Sequence, residues 1–228
     1  MAKLLEAVAP IQEQPPAWKV TPVQCVLLNG VSWETYQRLL AEHEGNSSTH
    51  FAYNQGQLEI MVLSGKHERR SRALSLLATL LAEESAINAI NFGSTTFQRE
   101  DLERGFEPDT CFYIQNEVLV RDKLEIDLAV DPAPDLVIEV DITSPSLKKF
   151  PIFAALGIAE VWRYDGERVS IWRLIGDGYR ETTHSQQIPI ASGPQLTEFL
   201  DAEPGAPRLV WTQSVRSWAQ TQLSAKER

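Results

Sequence analysis

The order of apolar and polar positions in the first third of the chain predicts a helix, a hairpin and a longer helix. Ser32 precedes residues 33–40, whose apolar positions share one helical face, so Ser32 is expected to cap a short amphipathic helix. Residues 51–54 and 57–63 flank a two-residue turn that ends in glycine, which predicts a β-hairpin. Between residues 66 and 84 apolar positions recur at helical spacing, and this predicts the longest helix of the chain.

The middle of the chain is rich in short strand patterns. Residues 87–90, 95–98 and 109–114 predict three strands separated by turn residues. Residues 136–142 are nearly continuous in apolar and β-branched residues, which is typical of a central strand covered on both faces. A short helix is expected over residues 147–156.

Residues 161–183 predict an antiparallel meander, because strand patterns alternate there with two Asp-Gly turns. Strands and helices follow one another without regular alternation, so the chain predicts an α/β fold with a mixed sheet flanked by helices. Residues 1–20 carry three prolines and little periodicity and are interpreted as an N-terminal arm. Residues 21–228 are then expected to form a single domain.

Composition narrows the class of protein. No segment approaches the roughly 20 apolar residues of a membrane span, so no membrane association is expected. Cys25 and Cys111 lie far apart in apolar runs, which favours buried reduced thiols and a cytoplasmic location.

The net charge of −10 argues against a protein that binds nucleic acid through a generally basic surface. Local basic patches remain candidates for contact with phosphate, and the alternative is that each is a solvated helix face. The candidate residues are Lys66, Arg69, Arg70 and Arg72, or Arg99 and Arg104.

Carboxylates within apolar strand patterns are the most informative chemistry of the sequence. Asp135, Glu139 and Asp141 lie in one such pattern, and burying carboxylates is costly unless a metal or another partner compensates. A second Pro-Asp pair, which ends at Asp109, opens another strand pattern. Two strands would therefore deliver acidic groups to one place, as expected for a metal-dependent phosphodiesterase.

Five segments of the chain, in order, resemble a known protein family. They are residues 58–61, 67–69, 107–114, 134–144 and 154–164. Together they are similar to the Uma-two family, a bacterial family of proposed endonucleases with the PD-(D/E)XK, restriction-endonuclease-like fold. The resemblance runs from about residue 30 to about residue 200, so residues 21–228 would form a nuclease-like domain.

The resemblance implies that Asp109 and Glu139 bind a metal ion and act in catalysis. Carboxylate oxygens suit Mg²⁺ or Mn²⁺, and a water activated by the ion would attack a DNA phosphodiester. A homodimer would bring two such sites to the two strands of a duplex.

One position departs from the parent E-x-K motif, because Asp141 stands where a lysine is expected. Lys149 from the following helix would supply the missing ammonium group, with Lys148 turned away; alternatively, both lysines are solvated helix residues. Asp141 shares the strand face of Glu139 and is a further candidate metal ligand. Alternatively, it accepts hydrogen bonds from the turn at residues 143–144.

Four other polar residues have open roles. Glu59 would complete the metal shell or position a water, or else pair with an arginine. His67 and Glu68 begin the long helix, where structural roles are favoured over contact with phosphate. Asp135 is interpreted as a residue that fixes the entry to its strand.

The sequence is compatible with three functions, of which the first two belong to different classes. The first is a Mg²⁺-dependent DNA endonuclease. The second is a catalytically weak or inactive nuclease-fold module that binds a partner, favoured by the acidic charge and the missing lysine. The third is a metal-dependent hydrolase of small phosphate esters. Apolar residues at 209–211, 215 and 218 would either form a dimer contact or close the core.

Overall fold

Two sheets account for all the strands among the described residues. The computed structural model describes residues 24–43, 45, 48–142 and 147–226. In chain order the strands are β1 (Gln24–Asn29), β2 (Thr49–Asn54), β3 (Gln57–Val62), β4 (Ile90–Gly93), β5 (Phe97–Arg99), β6 (Arg104–Phe106), β7 (Thr110–Tyr113), β8 (Leu136–Val140), β9 (Glu160–Tyr164), β10 (Val169–Ile175) and β11 (Gly178–Thr182). The first sheet has the order β1-β3-β2-β6-β5, and the second has the order β11-β10-β9-β8-β7-β4.

In chain order the helices are α1 (Trp33–Glu42), α2 (Gly65–Glu84), α3 (Glu117–Val120), α4 (Phe150–Leu156), α5 (Gly193–Ala202) and α6 (Arg208–Lys226). Helix α1 packs on the first sheet, whereas α2, α4, α5 and α6 pack against the second. The hydroxyl of Ser32 caps α1 by accepting a hydrogen bond from the backbone of Thr35, as the sequence predicts. Among the described residues, no helix has both the length and the apolar character that crossing a membrane requires.

The second sheet is mixed, because β8 and β9 run parallel while the other neighbouring pairs are antiparallel. The predicted mixed sheet and its β9-β10-β11 meander are therefore confirmed. The sequence does not predict the first sheet, which is antiparallel and in which the hairpin of β2 and β3 pairs with β1 and β6. Strand periodicity identifies buried faces, but it does not identify which strands pair.

Apolar cores lie on both faces of the second sheet. On one face, Leu74 and Leu77 of α2 share a core with Ile138 of β8 and with residues of α5 and α6. On the other, Val137 of β8 packs with Phe153 of α4 and with side chains of the first sheet. Adjacent residues of β8 thus point to opposite cores, which makes β8 the central strand that its apolar pattern predicts.

Several predicted boundaries shift by a few residues. The strand expected at 87–90 is β4, Ile90–Gly93, and the short helix expected at 147–156 is confined to α4. The predicted arm, residues 1–20, lies outside the described residues. The assignment of residues 21–228 to a single domain stays a prediction.

Candidate active site

The pairing of β7 with β8 brings two of the candidate carboxylates together. Thr110 lies opposite Ile138, so the same register places Asp109, the residue just before β7, opposite Glu139 of β8. Side chains directly opposite one another in an antiparallel pair share a face, with Cβ atoms about 4.5–5.5 Å apart. Both side chains are almost fully buried, at 2% and 3% exposure. Neighbouring strands thus deliver the two acids to one place, as the sequence predicts.

Asp109 is held as a carboxylate by groups from three directions. Its Oδ2 accepts a hydrogen bond from the backbone N–H of Val140 at 2.6 Å and lies 3.2 Å from Nε2 of His67. Its Oδ1 lies 3.5 Å from Nδ1 of His50. Burial alone would raise the pKa of Asp109, but the two histidines outweigh it and hold that pKa well below its usual range.

Sequence reasoning missed the role of both histidines. His50 was not a candidate, because it comes from β2 in the other sheet and no local pattern reveals such a contact. For His67 the sequence favours a structural role, and its backbone N–H does donate to the cap Ser64 in the first turn of α2; what the sequence does not predict is that its ring lies beside Asp109. The useful signal is its place three residues after a capping serine, since the first turn of a helix favours a nearby anion.

Lys149 forms a buried ion pair with Glu139. The Lys149 Nζ lies 2.5 Å from the Glu139 Oε2, immediately before α4 begins. Burial alone would lower the pKa of Lys149, but the surrounding carboxylates of Glu139, Asp141 and Asp109 raise it above its usual value. Burial raises the pKa of Glu139, with Asp109 and Asp141 adding to the shift and Lys149 opposing it. Lys149 is therefore not a solvated surface residue, whereas Lys148 is exposed.

Two other candidates hold the walls of this site in place. Asp141 accepts a hydrogen bond from Nε of Arg163 at 2.6 Å, so one of its carboxylate oxygens is already engaged. Glu59 of β3 is buried, and its Oε2 accepts a hydrogen bond from the backbone N–H of Leu147 at 2.8 Å. Glu59 thereby links the first sheet to the segment that carries Lys149. The turn at residues 143–144, an alternative partner of Asp141, lies outside the described residues.

Asp135 fixes the backbone that follows β7. Its Oδ2 accepts hydrogen bonds from the N–H groups of Ile114 and Asn116 at 2.7 and 2.9 Å, and its Oδ1 accepts one from the Asn116 side chain. These partners satisfy the buried carboxylate without a metal ion. The geometry thus places Asp135 in the backbone-fixing role that the sequence favours.

Asp135→Asn is expected to lower the free energy of unfolding by about 2 kcal/mol, because an amide group replaces a charged acceptor that serves several donors. Urea unfolding at neutral pH measures the change, and Asp122→Asn at an exposed position is the matched control. Binding of Mn²⁺ should stay unchanged. An unaltered stability together with weakened Mn²⁺ binding would assign Asp135 to the metal site instead.

A cavity of about 410 Å³ opens beside Glu139. Polar side chains of both signs line it, and Leu147, Phe150, Pro151, Phe153 and Val161 supply its apolar wall. The polar lining residues are Glu139, Asp141, Lys148, Lys149 and Arg163. The cavity therefore offers cations and carboxylates together, a combination suited to an anionic group that arrives with a metal ion.

The arginines of the candidate basic patches are engaged within the chain, whereas Lys66 is exposed. Arg69 pairs with a glutamate at position 203, Arg70 donates to the backbone carbonyl of Leu200, and Arg72 pairs with Glu68 one turn earlier on α2. Arg99 forms an ion pair with Asp101, and Nε of Arg104 donates a hydrogen bond to the side-chain oxygen of Asn54. These contacts favour the interpretation of internally paired, solvated surfaces over a ready phosphate-binding patch.

The buried atoms of the site fit a divalent cation. Oδ1 of Asp109, Oε1 of Glu139, Nδ1 of His50 and both ring nitrogens of His67 lie buried without a hydrogen-bond partner. Buried polar atoms ordinarily have partners, and carboxylate oxygens and imidazole nitrogens are the donors that such cations take. Among the described residues, no group of three or more such side chains is already arranged around one point. The donor set therefore fits the ion without forming a complete cage.

Comparison with known proteins identifies the family. The Uma2 model, described as "Putative restriction endonuclease", matches residues 33–205. The chain belongs to the Uma2 family. This is the Uma-two family that the five sequence segments resemble, so that prediction is confirmed.

One solved structure similar to this Uma2 protein is the crystal structure of a "putative nuclease belonging to DUF820" from Anabaena variabilis. The two chains share 18% identity, and the alignment covers 75% of this chain and 99% of the other, with a TM-score of 0.49. No curated protein matches the sequence.

Proposed function

We propose that this Uma2 protein is an endonuclease that hydrolyses DNA phosphodiester bonds with Mg²⁺ or Mn²⁺. The observation that carries the proposal is the buried pair of opposed carboxylates, Asp109 and Glu139, with the ammonium group of Lys149 on Glu139. Membership of the Uma2 family supports the same class of reaction.

Asp109 and Glu139 would hold the cation between β7 and β8. When bound, the cation supplies Lewis-acid stabilisation of the phosphate and a water of lowered pKa. The backbone N–H of Val140 orients Asp109 for this task, and His50 and His67 lie beside its two oxygens. Asp141 was a further candidate ligand, and its contact with Arg163 makes it a less direct one.

Lys149 would act as a fixed positive charge and not as a base. Its pKa lies above its usual value, so it keeps its proton at neutral pH. An ammonium group beside Glu139 stabilises negative charge that develops on a phosphate in the adjoining cavity. This is the role that the lysine of the E-x-K motif would have from the position now filled by Asp141.

Glu59 would serve as a positioning residue. It touches the backbone at Leu147, two residues before Lys149, and its carboxylate does not line the cavity. By fixing that segment it holds the ammonium group of Lys149 in reach of Glu139.

The exposed Lys148 and the partly exposed Arg163 would receive the phosphate at the cavity.

The proposal includes a homodimer, since cutting both strands of a duplex takes two sites. It also includes a cytoplasmic location, where the buried thiol of Cys111 would stay reduced.

A second candidate function is an inactive nuclease-fold module that binds a partner. The observation that favours it is the internal pairing of the candidate arginines, which engages those side chains within an acidic chain and leaves them less available to DNA phosphates. Loss of cation binding would be the simplest mark of such a module.

Two measurements on the wild-type protein separate these functions. Isothermal titration calorimetry with Mg²⁺ and Mn²⁺ should give saturable binding, and supercoiled plasmid should be nicked only when a cation is present and not after EDTA is added. Hydrolysis of p-nitrophenyl phosphate without nicking would instead indicate a phosphate-ester hydrolase. Absence of binding at millimolar cation would favour the inactive module.

A further inference from the structure

His67 is the most incompletely satisfied buried side chain of the site. It is 1% exposed, and neither of its ring nitrogens has a hydrogen-bond partner. A buried imidazole ordinarily donates from one nitrogen and accepts at the other. A further group is therefore expected to bind beside the His67 ring.

The contact between His67 and Asp109 is unlike a simple hydrogen bond. The His67 Nε2 lies 3.2 Å from the Asp109 Oδ2 without meeting the geometry of a hydrogen bond, and Oδ2 already accepts the N–H of Val140. Two ligand atoms that share one ion, each at about 2.1 Å, lie about 3.0–3.4 Å apart in octahedral or tetrahedral geometry. The observed separation falls within that interval.

We propose that His67 is a nitrogen ligand of the cation held by Asp109, and that the site therefore prefers Mn²⁺ and other transition-metal ions over Mg²⁺. Imidazole binds first-row transition ions well, whereas Mg²⁺ strongly prefers oxygen ligands. This inference rests on the proposed function and specifies the ion that serves it.

His67 and not His50 is the ligand. His67 lies closer to Asp109, at 3.2 against 3.5 Å, and it has two unpartnered nitrogens where His50 has one. The cap Ser64 also fixes the backbone of His67 at the start of the 20-residue helix α2, so the ring is carried by a rigid element. His50 then positions the other oxygen of Asp109.

A cation bound in part by water is consistent with the small number of protein ligands at this site. Asp109 and His67 are two protein ligands already side by side, and no group of three is arranged among the described residues. Glu139 and water would complete the shell, as is usual for ions that keep several waters.

Pulsed EPR of the Mn²⁺-loaded wild-type protein tests the proposal directly. We expect ¹⁴N modulation from a directly bound nitrogen, and its replacement by ¹⁵N coupling when the protein is labelled with ¹⁵N-histidine. His67→Gln should abolish the nitrogen coupling and weaken Mn²⁺ binding at least 10–100-fold, while Mg²⁺ binding changes much less. His184→Gln, at an exposed position, and His50→Gln should retain the coupling.

Mn²⁺ that binds without nitrogen coupling would overturn the proposal and leave the nuclease function intact, because Asp109 and Glu139 would still hold the ion. Coupling that survives in a folded His67→Gln protein would overturn it as well. Absence of Mn²⁺ binding would remove both this proposal and the proposed function. The isotope experiment on wild type decides the matter even if His67→Gln does not fold.

Discussion

Asp109→Asn is expected to lower the rate of plasmid nicking by about 1,000-fold. Asp109 is the carboxylate that two histidines and a backbone N–H keep ionised, and an amide is a far weaker ligand for a divalent cation. A bound cation contributes several kcal/mol to the stabilisation of a transition state, and each 1.4 kcal/mol is about tenfold in rate. Losing the ion therefore removes most of the catalysis.

The substitution should leave the fold in place, because the amide oxygen still accepts the N–H of Val140. Nicking rates with Mn²⁺, together with calorimetry, measure the effect, and Asp122→Asn at an exposed position is the control. Circular dichroism should show the same spectrum for all three proteins. A folded Asp109→Asn protein that nicks at the wild-type rate would exclude Asp109 from the reaction.

Lys149→Met is expected to lower the free energy of unfolding by about 3–5 kcal/mol, the usual cost of removing one partner from a buried ion pair. Methionine fills much of the space of the lysine stem, so the loss comes from the carboxylate of Glu139 left without its cation. The double variant Glu139→Gln with Lys149→Met should recover most of the stability, since it buries no uncompensated charge.

Urea unfolding of the wild type, both single variants and the double variant gives the coupling energy of the pair. The neighbouring Lys148→Met is the matched control, because that side chain is exposed and its loss should change stability by less than about 0.5 kcal/mol. Additive effects of the two single substitutions would contradict the pairing. Added Mn²⁺ should stabilise Lys149→Met, because a cation replaces the missing charge beside Glu139.

The sequence predicts the carboxylates of this site better than it predicts their surroundings. Asp109 and Glu139 belong to strand patterns with a fixed two-residue period, so a shared face follows once the strands pair. Lys149 could be preferred to Lys148 because adjacent residues at the start of a helix point in different directions. The contacts that each side chain makes, however, depend on the residues that pack against it in the folded protein.

Contacts between distant segments could not be predicted from the sequence. His50 and Asp109 are separated by more than fifty residues and lie on different sheets, so no periodicity connects them. The division into two sheets was missed for the same reason, because a hairpin pattern is identical whether it joins a central sheet or starts another. Arg163 likewise becomes the partner of Asp141 only through the parallel pairing of β8 with β9.

The site is built across the two sheets, since His50 and Glu59 come from the first sheet and Glu139 from the second. Opening of the first sheet alone would therefore dismantle the centre while the second sheet stayed folded. A cation that binds only the closed form raises the free energy of that sub-global opening, by about 2.7 kcal/mol at 100 times its dissociation constant. Amide hydrogens of β2 and β3 would then exchange more slowly, so that cation binding joins two separately unfolding units into one cooperative unit.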